Sequence, residues 1–284
     1  METEKIAVIF DFDDTLAPDS VTQLVEERNV ESERFWKDKF TQRVRSGFDP
    51  TIATLSLLTD EAALDGSFDG LTKSELRSVG ESLDQDIFEG VNGLLNDFDD
   101  IAEAYDGVTV NPYIISEGLH EAINGTTLVD EFEAVYASEL SADEEGSITG
   151  IKRAISFTDK TRYLFEINKG ISRTESEENP YRVNKRTSRN APTVPFENII
   201  YVGDGLTDIP CFSLVQDRNG RAFGVYDPEN PSIKQEAVSG IGSPQRTLGS
   251  SNKPGYTSDD RLGSILRLTV EGMCADKTLD ELEV

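Results

Sequence analysis

Lys5 to Asp11 (K-I-A-V-I-F-D) is a short, almost unbroken apolar run. A continuous run rich in Ile and Val, rather than an alternating one, predicts a strand buried on both faces of a parallel sheet. The pattern then turns helical. Ser20 is placed to cap a helix running to about Glu27, and Ser32 a second one carrying Phe35, Trp36, Phe40 and Val44. Asp49-Pro50 opens a third, with Pro in the first turn and Ile52, Leu55 and Leu58 on one face. Thr72 caps a fourth around Leu76. No strand pattern interrupts this stretch, so residues 18–86 read as a small helical insertion.

From Phe88 onward strands and helices alternate. A helix over Val91–Tyr105 leads to a strand over Val108–Ser116, then a short helix over Leu119–Ile123. Further strands are predicted at Phe132–Tyr136, Ile155–Phe157, Asn198–Val202 and Ala222–Tyr226, with helices at Lys160–Lys169 and Thr207–Leu214. Residues 171–195 contain Pro180, Pro192 and Pro195 and read as a long polar excursion, and Val238–Ser258 reads as loop. A helix over Asp259–Gly272 closes the chain, and the tail from Ala275 is expected to fray. Alternating strands and helices imply an open, mostly parallel α/β sheet covered on both faces, with its site beyond the carboxyl ends of the strands.

Composition narrows the class. The 284 residues are 37% hydrophobic, ample for a packed core in one large domain or two smaller ones. No apolar run approaches the ~20 residues that span a bilayer. The charged start Met1-Glu2-Thr3-Glu4-Lys5 does not resemble a signal peptide. Cys211 and Cys274 make neither a metal spacing nor a disulfide framework, and a reduced, cytoplasmic protein is expected. Against 27 Lys and Arg stand 54 Asp and Glu, a net charge of -27. Such self-repulsion opposes compaction unless salt screens it, which points to a salt-rich cytoplasm; an ordinary acidic enzyme is the alternative. The charge argues against nucleic acid or an anionic membrane as partner. Nothing in the pattern sets an oligomeric state.

Four polar clusters each end a predicted strand or start a helix: Asp11-Phe12-Asp13-Asp14-Thr15, Ser116, Lys160, and Gly203-Asp204-Gly205-Leu206-Thr207-Asp208. The sheet would bring them to one edge. Clustered carboxylates repel one another, and a hard divalent cation relieves this. Magnesium suits one or two carboxylates plus a substrate phosphate, while calcium wants more oxygens. Lys160 adds positive charge where a phosphate would sit.

In chain order these segments, D-F-D-D-T-L (11–16), Y-I-I-S (113–116), Lys160 in T-D-K-T-R and G-D-G-L-T-D (203–208), resemble the four motifs of the haloacid dehalogenase (HAD) superfamily. The resemblance implies a Rossmann-like core, residues 1–17 and 87–284, with a mobile helical cap of the C1 type over 18–86. It implies a magnesium-dependent phosphohydrolase acting on a small phosphorylated metabolite. Asp11 would be the nucleophile, forming an aspartyl-phosphate, and Asp13 the general acid and base. Asp11, the Asp13 backbone carbonyl and Asp204 would hold Mg2+. Asp208 would bind the metal, directly or through water, or orient Lys160. Ser116 would donate to a phosphate oxygen, and Lys160 would offset charge. An acid at Asp13 fits phosphatases and phosphomutases, and excludes dehalogenation.

Within the superfamily the chain resembles phosphoserine phosphatases most, with two departures. Ser20, with Asp19 adjacent, stands where those enzymes hold the substrate amine with a carboxylate. The helix Asp49–Leu58 lacks their cap arginine, the nearest being Arg43 and Arg45. A phosphotransferase or phosphomutase, and a non-catalytic acidic binding module, are the other readings. His120, the single histidine, reads as a surface residue, Cys211 as packing, and Phe35, Trp36 and Phe40 as core of the insertion. Arg173, Arg182, Lys185, Arg186 and Arg189 read as a solvated basic loop or as receivers of an anionic substrate.

Overall fold

The computed structural model describes residues 3–63, 65–185, 193–241 and 251–282. β1 (Glu4–Phe10) is the apolar run at the start of the chain. Its side chains alternate between two cores, Ile6, Val8 and Phe10 joining one and Ala7 and Ile9 the other. That is the period-two signature of a strand covered on both faces. Next come α1 (Ser20–Glu27), a π-helical segment Arg34–Phe40, α2 (Thr41–Arg45), α3 (Pro50–Glu61) and α4 (Lys73–Leu83). α5 (Val91–Glu103) leads to β2 (Val108–Leu119) and α6 (His120–Ile123). β3 (Ala134–Ala142), β4 (Ile148–Arg153), α7 (Phe157–Asn168) and α8 (Arg173–Glu178) follow. The described order ends with β5 (Ile199–Gly203), α9 (Ile209–Gln216), β6 (Arg221–Val225), α10 (Ile233–Gly240), β7 (Ser251–Asn252) and α11 (Arg261–Leu282).

The sheet has seven strands in the order β4-β3-β2-β1-β5-β6-β7. Every neighbouring pair is parallel except β3 and β4, which form an antiparallel hairpin. α7 and α9 cover one face through Tyr163, Leu164, Ile167, Phe212 and Val215. α5 and α11 cover the other through Leu94, Phe98, Leu262 and Leu266, in a cluster that continues into the helical insertion at Leu24, Trp36, Leu58 and Leu76. Trp36 anchors the insertion. Phe35 and Phe40 meet its ring edge-on at 5.0 and 5.2 Å, and its Nε1 donates to Thr22 Oγ1 at 2.9 Å.

Local chemistry explains where the observed elements differ from the expected ones. Asp19, not Ser20, caps α1, accepting from the Thr22 N–H, because Ser20 is turned onto Asp13. Ser32 donates to Glu26 instead of capping a helix, and the chain there winds as a π-helix. The caps at Asp49 and Thr72 form as expected. The strand expected at Phe132 begins at Ala134 and runs to Ala142. No strand forms at Ile155–Phe157; the extra strand is β4, a half-exposed edge that lacks the continuous apolar pattern of a central strand. The polar excursion holds α8, built on a Ser172/Glu175 capping box, and residues 186–192 lie outside the described residues. α10 crosses into the expected loop, of which 242–250 lie outside the described residues. α11 continues to Leu282 through the tail expected to fray, and the last buried side chain among its described residues is Cys274. Among the described residues, no helix is long and apolar enough to cross a membrane.

Candidate active site

β1 sits where the sheet grows both ways, with β2 and β3 on one side and β5 and β6 on the other. The connections diverge at its carboxyl end and leave a crevice there. Asp11 lies in that crevice, its N–H donating to the Val202 carbonyl at 2.8 Å. The N–H groups of Thr15, Leu16 and Ala17 all reach the Phe12 carbonyl, so the chain turns sharply past Asp13. Asp14 takes φ 55° in that turn, a left-handed conformation that Asp tolerates.

Three further elements bring in the rest. Lys160, in the first turn of α7, is fully buried, and its Nζ donates to Asp11 Oδ2 and Asp208 Oδ1, each at 2.7 Å. Asp208 also accepts from the Tyr201 hydroxyl at 2.8 Å and the Gly205 N–H at 2.9 Å. One carboxylate oxygen from each of Asp11, Asp204 and Asp208 falls within 4.8 Å of the others. Asp13 is not one of this trio; its carboxylate accepts from the Ser20 N–H and hydroxyl at 2.8 and 3.2 Å. Ser116 ends the apolar part of β2, and its Oγ accepts from the Gly118 N–H at 3.0 Å. Gly118 is dictated by close approach, since a Cβ there would stand 2.1 Å from Asp13 Oδ2. A Cβ at Gly203 would likewise press on the Asp208 carboxylate at 2.5 Å.

Burial without enough positive charge perturbs these acids. Desolvation pushes Asp11 up to about 6, although Lys160 pulls the other way. Burial and the neighbouring Asp19 carry Asp13 well above the ordinary carboxylate range. Burial, Asp14 and Asp11 do the same to Asp204. Burial opposes the Lys160 ammonium, but Asp11 and Asp208 outweigh it and raise its pKa. An all-oxygen donor set with uncompensated negative charge fits a hard divalent cation such as magnesium.

A cavity of about 200 Å³ opens beside Asp11, Asp13 and Asp204. Phe40, Val44 and Pro50 line it from the insertion, and Lys234, Gln235 and Val238 from α10. The α10 residues were not visible as site residues in the sequence. Gln235 Nε2 donates to Asp204 Oδ2 at 2.5 Å. Ser232 donates to Asp14 Oδ2 at 2.6 Å, and burial and Asp19 push Asp14 up to about 6. Lys234 pairs with Asp19 at 2.9 Å and Glu117 at 2.8 Å, and Glu117 also accepts from Thr51 at 3.2 Å. Glu117 thus lines the cavity and Asp19 reaches it through Lys234, although the motifs alone did not mark them. Arg43 donates to Ser56 and Asp60, and no arginine lines the cavity among the described residues.

Two expectations outside the site are corrected. His120 is buried, not at the surface. It touches Arg173 and Asn124, and burial together with Arg173 lowers its pKa to about 4. Arg173 is not a solvated loop residue: it pairs with Glu139 at 3.2 Å and Glu177 at 3.0 Å. Arg182 pairs with Glu175 at 2.7 Å, while Arg186 and Arg189 lie outside the described residues. Cys211 is buried packing, as expected.

This α/β fold is shared with solved phosphoserine phosphatases and a HAD family hydrolase. The chain superposes on a substrate-bound phosphoserine phosphatase with a TM-score of 0.51 at 16% identity, over 83% of this chain and 91% of that one. A probable phosphoserine phosphatase from Vibrio cholerae gives 0.54 at 12% identity, over 96% and 67%. A HAD family hydrolase from Salmonella enterica serovar Typhi gives 0.50 at 16% identity, over 78% and 68%. In sequence, the chain is 28% identical over 235 residues to an uncharacterized protein of Borreliella burgdorferi, covering 75% of this chain and 79% of that protein. No family model matches.

Proposed function

We propose that this chain is a magnesium-dependent phosphomonoester hydrolase that works through a phosphorylated Asp11. The observation that carries the reading is the split between two buried acids two residues apart. Asp11 faces the Lys160 ammonium, as a nucleophile requires. Asp13 faces Ser20 and Asp19 and is driven toward its protonated form, as a general acid requires.

In this reading an Asp11 carboxylate oxygen attacks phosphorus, and the bond from phosphorus to the ester oxygen breaks. Asp13 delivers its proton to that departing oxygen. Water then attacks the aspartyl-phosphate and gives a proton to Asp13. The bond from phosphorus to Asp11 breaks, releasing phosphate. Lys160 offsets charge on Asp11 and the phosphoryl oxygens, and Ser116 donates to one of those oxygens. Asp11, Asp204 and the Asp13 backbone carbonyl would hold Mg2+, with Asp208 binding it or orienting Lys160. When bound, the ion would neutralise charge on the transferring group. Residues 18–86 act as a cap over a core of residues 1–17 and 87–284. The substrate is a small phosphorylated metabolite, and the setting is a cytoplasm rich in salt.

Phosphate release from a generic aryl phosphate tests the reading. Release should require magnesium and fall by more than about 10³-fold in Asp11→Asn, with the circular dichroism spectrum retained. Magnesium-independent release, or an active Asp11→Asn protein, would refute it.

A further inference from the structure

We propose, on the basis of that phosphohydrolase reading, that the leaving group is an alcohol with an apolar body and no negative charge. The selecting elements are the Glu117–Lys234–Asp19 cluster and the apolar walls of the cavity.

The departing oxygen must lie beside Asp13, which protonates it. Gly118 touches Asp13, so the adjacent Glu117 flanks the same spot and lines the cavity there. Lys234 lines it too, and its charge acts on Asp13. Its ammonium is not free to receive an anion. It already pairs with Asp19 at 2.9 Å and Glu117 at 2.8 Å, and sits 5.6 Å from the centre of the Trp36 ring. One ammonium against two carboxylates leaves a negative excess. The Lys234 side chain is only 15% exposed, so water screens little of it. A carboxylate or second phosphate on the leaving group would meet that excess. Phe40, Val44, Pro50, Val238 and Ile241 line the same cavity with carbon, interrupted by the uncharged hydroxyls of Thr54 and Ser239. Burying an apolar body there is favourable, and burying a charge is costly.

Four esters separate these effects: O-phosphoethanolamine, O-phosphoserine, ethyl phosphate and benzyl phosphate. O-phosphoserine is O-phosphoethanolamine with a carboxylate added, and benzyl phosphate is an alkyl ester with a larger apolar body than ethyl phosphate. With magnesium, kcat/KM should be at least tenfold lower for O-phosphoserine than for O-phosphoethanolamine. It should be at least tenfold higher for benzyl than for ethyl phosphate. In Glu117→Gln the first ratio should shrink to under threefold, a comparison within one variant that cancels any shared loss of rate. Hydrolysis of benzyl phosphate with O-phosphoserine matching or exceeding O-phosphoethanolamine would overturn the inference and leave the phosphohydrolase reading standing. So would ethyl phosphate matching benzyl phosphate. No magnesium-dependent release from any of the four would overturn both.

Discussion

Asp11 and Asp13 are both nearly inaccessible, at 2% exposure each, so burial alone does not distinguish them. Their partners do. The Lys160 ammonium bonds Asp11 directly and stabilises its charge, whereas for Asp13 burial and the Asp19 carboxylate outweigh the attraction of Lys234 and two hydrogen bonds from Ser20. General acid catalysis matters most when the departing oxygen is a poor leaving group. Asp13→Asn should therefore lower kcat for an alkyl phosphate at least about tenfold more than for p-nitrophenyl phosphate. Equal losses would remove the proton-donor role. The same acids set a pH dependence. Asp11 and Asp14 sit near 6 in the folded protein against 3.8 as the ordinary value. Between those values the folded, ion-free chain binds more protons than the unfolded one, so its stability falls as pH rises through that window. A divalent cation held by these acids would compete with those protons. The melting-temperature gain from a few millimolar magnesium should be small at pH 5 and clearly larger at pH 7. Scanning fluorimetry at both values checks this, and equal gains would contradict it. The four motifs were legible because each follows a buried apolar strand or opens a helix. Lys234 was not, because its partners Asp19 and Glu117 lie far away in the chain and P-S-I-K-Q-E reads like any helix start.

Among the elements, α10 shows why local pattern is not enough. It is short, with only Ala237 fully buried, so it lacks the apolar stripe that marks longer helices. Its first turn is specified by polar contacts instead. Ser232 accepts from the Gln235 N–H as cap and donates to Asp14, Lys234 reaches Asp19 and Glu117, and Gln235 reaches Asp204. One helical turn thus touches four acidic residues from three other parts of the chain. Ser232→Ala should cost about 1 kcal/mol in urea unfolding through loss of the cap. It should also raise the magnesium concentration needed for half-maximal rate, because Asp14 loses its donor beside Asp204. A stability loss with unchanged magnesium dependence would reduce Ser232 to a helix cap. β4 escaped notice for a related reason. It is a half-exposed edge strand, and the burial that makes β1 and β5 readable is absent there. The apolar central strands and the helical insertion after β1 were legible. Edge strands and polar-specified helices were not.

At the scale of the whole molecule the net charge of -27 works against the compact state. The fold answers part of it locally: Lys39 with Glu61, Lys73 with Glu121 and Arg267 with Asp97 all pair across elements. With twice as many acids as bases in the chain, such pairs cannot neutralise the surface. The remaining carboxylates repel one another over distances that salt shortens, from ~10 Å at 0.1 M to ~3 Å at 1 M. Exposed ion pairs weaken under the same screening, by less than ~1 kcal/mol each. Repulsion summed over the unpaired carboxylates should outweigh that loss. The melting temperature should therefore rise by at least about 10 °C between 0.1 and 2 M KCl, judging from the few degrees that each kcal/mol brings in a domain of this size. Sucrose at matched osmolarity separates screening from general stabilisation by excluded solutes, because sucrose leaves charge repulsion intact. A rise in KCl with little change in sucrose assigns the effect to charge. A flat response to KCl would mean that the acidic surface is already tolerated at low salt, and the salt-rich setting would lose its physical basis.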